Sequence, residues 1–251
     1  MEELLISPYW LAVIFLFVAL LYSTVGLGGG TSYAALLAIF GAGPLAIPTI
    51  SLTLNVLVSL IVSIAFIRAG HARWKLIGAL LLASAPMAYL GGWLEIAEEL
   101  FYLVLIAVLL LVAARIFLWP RPSLEINWTD TIRLAAVILL GATIGFLSGL
   151  IGIGGGIFLI PALVILGLTD EKEAAAAGGV FVFINSLAGL TAHLQVFVPA
   201  PGDVLPLVAA VILGSLAGSY LGAIRLKRRT IQLVMGGIVL FAALVLIFQL
   251  L

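Results

Sequence analysis

The chain of 251 residues is 65% hydrophobic and 9% charged, with a mean hydropathy of +1.37 and a formal net charge of zero. Soluble domains carry about 25% charged residues, so this composition indicates an integral membrane protein and excludes a large soluble domain. The charge balance offers no basic face for nucleic acid. The lack of cysteine excludes disulfides, thiolate metal sites and cysteine catalysis.

The first half of the chain contains apolar blocks that predict α-helices, because membrane β-strands would give short alternating segments instead. Five hydrophobic segments are predicted here, at residues 8–25, 31–40, 47–67, 76–93 and 100–118. The block at 9–22 lacks the basic start and the small-residue cleavage pattern of a signal peptide, so we interpret it as a helix.

A polar linker at residues 119–130 precedes a restart of the same pattern. The second half predicts segments at 131–147, 157–166, 174–198 and 204–224, and a last segment that follows the basic stretch 225–229 to the C-terminus. The predicted organisation is an N-terminal transmembrane repeat at 1–118, the linker, and a C-terminal transmembrane repeat at 131–251, together forming one transport domain.

A glycine-rich motif interrupts one apolar run in each half. Gly26-Leu27-Gly28-Gly29-Gly30 in the first half corresponds to Gly152-Ile153-Gly154-Gly155-Gly156 in the second. Each glycine in a helix interior costs roughly 1 kcal/mol relative to alanine, so both runs should break. A break at membrane depth is tolerated only where the freed backbone is buried in protein or lines a watery cavity. We therefore predict two broken helices that face a shared site.

The two halves align over most of their length. After the glycine motifs, Gly41 corresponds to Gly167, Asn55 to Asn185, and Tyr89-Leu90-Gly91 to Tyr220-Leu221-Gly222. This correspondence indicates an internal duplication.

Ten of the eleven lysines and arginines lie in three clusters: Arg68, Arg73 and Lys75; Arg115, Arg121 and Arg133; Arg225, Lys227, Arg228 and Arg229. The positive-inside rule places all three clusters in the cytoplasm. The loop before the fourth segment is basic, whereas its counterpart at 199–203 carries no cation, so the halves should have opposite orientations, with both termini outside. Five crossings per half give this inversion. Four crossings and a re-entrant element would not, and the short segments 31–40 and 157–166 leave that alternative open.

The predicted fold class is therefore an all-α integral membrane protein of two inverted-topology repeats, each of about five hydrophobic segments, with helices broken at the glycine motifs. Transporters with inverted repeats bind their substrates near the middle of the membrane at the repeat interface.

The start of each short segment is predicted to form an anion site. The first N–H groups of a helix lack intrahelical acceptors, the helix dipole adds about half a positive charge there, and glycine lets a ligand approach the backbone. The candidate substrate-binding residues are Gly28, Gly29, Gly30, Thr31, Ser32, Asn55, Gly154, Gly155, Gly156, Asn185 and His193. The competing interpretation is that the glycines serve only close helix packing.

Two asparagines and a histidine in apolar segments are further side-chain candidates. Asn55 and Asn185 occupy equivalent places and could donate to an anion, cap a broken helix, or merely bridge two helices. His193 could relay a proton, or it could be a histidine hydrogen-bonded near the membrane interface. No Asp or Glu lies deep in a predicted span, so the coupling ion is left open.

These motifs resemble the TauE/SafE family of sulfite and organosulfur-anion exporters. The resemblance rests on the stretch from Ser148 to Gly156, on the stretch 185–190 and on Tyr220-Leu221-Gly222. It implies a bacterial or archaeal plasma-membrane permease that moves sulfite, sulfonates, sulfoacetate or similar small anions. The first half lacks a counterpart of Pro161, so we expect the halves to contribute unequally.

The resulting interpretation is an exporter of small sulfur-containing anions, with a passive anion channel of the same architecture as the alternative. An intramembrane enzyme lacks a catalytic constellation, and a nucleotide-binding loop would need a soluble strand–turn–helix context. The expected partners are the anion and the lipid bilayer, without nucleic acid, cofactor or metal. Formation of a homo-oligomer is left open.

Overall fold

The computed structural model describes residues 7–24, 27–118, 129–222 and 228–250. These residues form ten α-helices and contain no strand: α1 (Pro8–Thr24), α2 (Gly30–Ile39), α3 (Ala46–Arg68), α4 (Trp74–Trp93), α5 (Glu98–Leu118), α6 (Asp130–Ile151), α7 (Gly156–Ile165), α8 (Glu171–His193), α9 (Pro201–Gly222) and α10 (Arg228–Leu250). Helices α3, α4, α5, α6, α8 and α9 are long and apolar enough to cross a membrane. The all-helical membrane architecture is therefore as predicted.

Most helix bounds lie within three residues of the predicted segments, and two ends differ more. Helix α6 continues to Ile151 rather than 147, and Gly152 caps it in the left-handed conformation with φ 76°. Helix α8 ends at His193 rather than at 198. The chain there forms a turn in which the His193 carbonyl accepts from the amides of Val196 and Phe197, ahead of Pro199, which disfavours helix in the residue before it.

Several sequence features fall outside the described residues. They are Gly26 of the first glycine motif, most of the linker (119–128, which includes Arg121), and Arg225 and Lys227 of the last basic cluster. The side chains of Tyr220, Leu221, Arg228 and Arg229 and the surroundings of Gly222 are likewise not described.

Helices α4 and α6 pack closely along a row of glycines. The three contacts are Gly141 against Leu80, Gly145 against Ser84 and Gly149 against Ala88, each at the backbone of α4. Residue numbers rise together in the two helices, so they run parallel. Because glycine lacks a side chain, the two backbones can approach closely.

A second parallel pair consists of α1 and α9, in which Gly214 contacts Leu16 and Gly218 contacts Leu20 at the backbone. The α4–α6 and α1–α9 pairs are the two most extensive helix contacts described. Between them lie α3 and α8. These two run antiparallel, since Asn55 contacts Ser186 while Ser63 lies beside Gly179.

One end of the molecule is defined by two polar contacts between loops and helix starts. Arg73, before α4, lies 3.1 Å from Glu173 at the start of α8. Arg133, at the start of α6, donates to the carbonyl of Leu168 at 2.7 Å. We call this end the basic face, and the end at which α3 and α9 begin the opposite face.

The outer surface of the bundle is apolar. Trp74 and Trp93 mark the two ends of α4 and are 61% and 60% exposed. At about 1.5 Å per residue they are separated by about 28 Å along the helix, close to the roughly 30 Å thickness of a bilayer core. Tryptophan favours both membrane–water boundaries, so this spacing is typical of a helix that crosses the membrane.

Candidate functional site

The two short helices each begin at a glycine segment. We call residues 27–30 the first glycine segment and residues 152–156 the second. Gly29 is the N-cap of α2, with φ 97°, and Gly155 is the N-cap of α7, with φ 74°. Both lie in the left-handed region, which costs other L-residues about 1–2 kcal/mol. This explains why glycine stands at these two helix starts.

The two glycine segments lie against each other in the middle of the bundle. A β-carbon built on Gly30 would lie 2.6 Å from the carbonyl oxygen of Ile153 and 2.8 Å from Nδ2 of Asn55. Built on Gly28 or Gly154, it would overlap the Asn55 amide itself. Asn55 therefore occupies the space between the two segments, and their glycines leave it that space.

Both helix starts lie at mid-depth. Asn55 is near the middle of the 23-residue α3, and Gly156 packs against Val182, near the middle of the 23-residue α8. Helix α2 leads towards the opposite face, where α3 begins, and α7 leads towards the basic face, where α8 begins. Each has 10 residues, or about 15 Å, so each covers about half of the membrane.

Ser51 joins the two glycine segments by hydrogen bonds. Its hydroxyl lies 3.0 Å from the carbonyl oxygen of Gly30 and 2.7 Å from that of Gly152, with donor geometry to both. The side chain is fully buried. One hydroxyl on α3 is thus shared by acceptors from the two halves.

Three hydroxyl groups are clustered at the start of α2. The Tyr22 hydroxyl lies 3.1 Å from Thr31 Oγ1 and 2.7 Å from Ser32 Oγ. All three residues are at most 2% exposed. Tyr22 therefore links the end of α1 to the first turn of α2.

The Asn55 amide has one satisfied end and one unsatisfied end. Its Nδ2 donates to Ser186 Oγ on α8 at 3.0 Å. Its Oδ1 is buried and accepts no hydrogen bond, although the residue is 0% exposed. An unsatisfied buried acceptor costs about 1–3 kcal/mol, so this atom is a candidate ligand contact.

A small cavity lies at the start of α2. Its lining consists of Tyr22, Leu27, Gly28, Gly29, Gly30, Thr31, Asn55, Ile153, Gly156, Ile157 and Val182. None of these side chains is charged. The cavity volume is about 10 Å³, enough for about one water molecule, so a larger ligand requires the two glycine segments to separate.

Of the eleven predicted site residues, Gly28, Gly29, Gly30, Thr31, Asn55 and Gly156 line this cavity. Gly154 lies directly against Asn55, and Ser32 joins through Tyr22. Gly155 packs instead against Ile144 and Phe181. The structure thus brings both glycine segments and Asn55 together.

The remaining two predicted residues, Asn185 and His193, also lie outside the cavity lining. Asn185 turns back on its own helix, where Nδ2 donates to the carbonyl of Phe181 at 2.9 Å. His193 Nε2 lies 2.7 Å from the carbonyl oxygen of Gly149. His193 is eleven residues beyond Val182, or about 16 Å further along α8.

Tyr22, Ser51 and Ser186 were not among the predicted site residues. Ser51 precedes Asn55 by one helical turn, and this spacing places both on one face of α3. Ser186 adjoins the predicted Asn185. Nothing in the sequence pairs Tyr22 with Thr31 and Ser32, because the contact depends on how the chain folds back between α1 and α2.

Comparison with known proteins gives a consistent result. A family model described as sulfite exporter TauE/SafE matches residues 11–246. The chain is 30% identical over 241 residues to the probable membrane transporter protein y4hK of Sinorhizobium fredii, covering 95% of this chain and 97% of that protein. It is 30% identical over 207 residues to the probable membrane transporter protein MJ0441 of Methanocaldococcus jannaschii, covering 77% and 74%. No solved structure matches the chain.

Proposed function

The chain belongs to the sulfite exporter TauE/SafE family of membrane transporters, and on that premise we propose that it exports small sulfur-containing anions. The proposed cargo is sulfite, a sulfonate, sulfoacetate or a similar anion. The anion binds where the two glycine segments meet at Asn55. That meeting of two helix starts at mid-depth, around one unsatisfied buried amide, is the observation that carries the proposal.

The helix arrangement supports two inverted repeats. If α1–α5 correspond to α6–α10, then the α1–α9 pair corresponds to the α6–α4 pair, and α3 corresponds to α8. Both outer pairs are parallel and the central pair is antiparallel, as a two-fold axis in the membrane plane would produce. Transporters of this plan bind substrate at the repeat interface, beside discontinuous helices.

The chemistry of the cavity supports an anion. The starts of α2 and α7 present backbone N–H groups that have no partner within their helices, and each end carries about half a positive charge. Such ends bind anions without a charged side chain. The Thr31 hydroxyl at the cavity supplies a neutral donor, which allows a ligand to leave again.

The size of the cavity supports a carrier. Sulfite has four non-hydrogen atoms, whereas the cavity holds about one water molecule. Binding therefore requires a conformational change, as alternating access does. An interior-negative membrane potential contributes about 2.3 kcal/mol per charge per 100 mV to the outward movement of an anion.

Efflux from proteoliposomes tests the proposal. Proteoliposomes that contain the purified protein are loaded in parallel with sulfite, sulfate, taurine, sulfoacetate or thiosulfate. The initial rate of efflux of each compound is compared with that from protein-free vesicles. We expect at least one sulfur oxyanion to leave at a rate that saturates with concentration. Movement of cations or neutral sugars, with no oxyanion moved, would refute the proposal, and a rate that never saturates would identify a channel.

A further inference from the structure

We propose that the site selects a singly charged anion that carries one hydrogen-bond donor, with the donor directed at Oδ1 of Asn55. This inference rests on the proposed function and narrows its substrate class. Hydrogensulfite and hydroxyalkanesulfonates fit this description. Sulfate, sulfoacetate and fully deprotonated sulfite do not.

The charge available at the site is about one unit. No lining residue of the cavity bears a charged side chain, so the positive potential comes from the starts of α2 and α7. Each contributes about half an elementary charge, and the two together compensate about one negative charge. A dianion would bring a second, uncompensated charge into a buried site, where such charges are costly.

The donor requirement comes from the unsatisfied atom. Asn55 Oδ1 is an acceptor, is buried and has no partner. It is aimed at Gly28, where a β-carbon would overlap it, and Gly28 lines the cavity. An anion that offers only acceptor oxygens would place negative oxygen against this carbonyl oxygen. An anion with an O–H group satisfies it.

The orientation of the Asn55 amide follows from the hydrogen bond that its nitrogen makes. Asn55 Nδ2 donates to Ser186 Oγ at 3.0 Å, and Gly30 and Gly154 leave room for this nitrogen. The oxygen is consequently the end of the amide that faces Gly28. A ligand donor therefore meets an acceptor that is already in place, beside backbone N–H groups that hold the ligand oxygens.

The decisive experiment compares two sulfonates of the same size. Hydroxymethanesulfonate and ethanesulfonate are both monoanions and differ by a hydroxyl in place of a methyl group. In proteoliposomes of the wild-type protein, we expect hydroxymethanesulfonate to half-saturate transport at a concentration about tenfold or more below that of ethanesulfonate, the consequence of satisfying one buried acceptor. Sulfate at the same concentrations should remain at the rate of protein-free vesicles.

Two variants test the assignment to Asn55. Asn55→Ala should reduce the ratio between the two sulfonates to near one, because the acceptor is gone. Ser63→Ala, a truncation two turns further along the same helix, should keep the wild-type ratio, because its hydroxyl bonds only to the carbonyl of Ser59. The wild-type comparison does not depend on the folding of either variant.

The outcomes separate this inference from the proposed function. Equal half-saturation by both sulfonates would overturn the donor requirement, and transport of sulfate as well as of monoanions would overturn the charge limit. In both cases anion transport itself would stand. If no oxyanion moved at all, the proposed function would fail, and this inference with it.

Discussion

Asn55 on α3 fills the space that Gly154 leaves empty, because any β-carbon at Gly154 would overlap the Asn55 amide nitrogen. The two residues are 99 positions apart and belong to different halves of the chain. A movement of the second glycine segment therefore bears directly on Asn55. This contact offers a physical route by which the two halves could move together.

Gly154→Ala should disrupt this contact. The new methyl group must displace the buried Asn55 side chain, and overpacking of this kind costs about 1–3 kcal/mol. A further cost arises because Gly154 has φ 74°, where alanine is strained. We expect a lower thermal midpoint in detergent and little remaining sulfite efflux.

Gly70→Ala is the matched control for this change. Gly70 also has a positive φ, 78°, but a β-carbon there meets nothing within 4 Å. It shares the backbone strain without the overlap, so its thermal midpoint should fall less than that of Gly154→Ala. Equal shifts in the two variants would show that the contact with Asn55 has no energetic weight.

Ser51→Ala should loosen the link between the glycine segments. The change removes a hydroxyl that faces the carbonyl oxygens of both Gly30 and Gly152, and a buried acceptor without a partner costs about 1–3 kcal/mol. We expect a reduced thermal midpoint and an altered efflux rate. Ser63→Ala, whose hydroxyl bonds only within α3, is the control and should shift the midpoint less.

Single-cysteine labelling can test the inverted topology cleanly, because the chain has no native cysteine. His71→Cys lies in the α3–α4 loop beside the basic face, and Gly202→Cys lies at the start of α9, where a side chain meets nothing within 4 Å. In intact cells, an impermeant maleimide should label the second variant and spare the first until the membrane is opened. Equal labelling of both in intact cells would contradict opposite placement.

His193→Gln should leave the pH dependence of efflux unchanged. His193 contacts the Gly149 carbonyl and lies about 16 Å along α8 from the cavity, so we assign it a packing role. Glutamine can still donate to that carbonyl. The measurement is the sulfite efflux rate over a pH series, and a displaced profile would instead support a proton relay.

The helices could be predicted from the sequence because membrane spans depend on local hydropathy and on glycine and proline. The starts of α2 and α7 lie within one residue of the predicted segments, since positive-φ positions favour glycine whatever surrounds them. The polar character of Asn55 in an apolar helix likewise marks it as a candidate from the sequence alone.

The remaining features depend on three-dimensional packing. Asn55 and Asn185 correspond in sequence, yet Asn55 reaches across to Ser186 while Asn185 bonds to Phe181 on its own helix. The repeat therefore does not extend to the side-chain contacts. Composition cannot reveal that difference, because it arises from which neighbouring helix lies within reach.

The most direct test of the account is the initial rate of sulfite efflux by Asn55→Asp in proteoliposomes, beside the wild-type protein. The aspartate carboxylate has nearly the shape of the amide that it replaces. Its negative charge would neutralise the positive potential at the starts of α2 and α7. We predict that the variant elutes from a size-exclusion column in detergent as the wild-type protein does. Its sulfite efflux should be no faster than the leakage from protein-free vesicles. Wild-type efflux by that variant would contradict an anion site at Asn55.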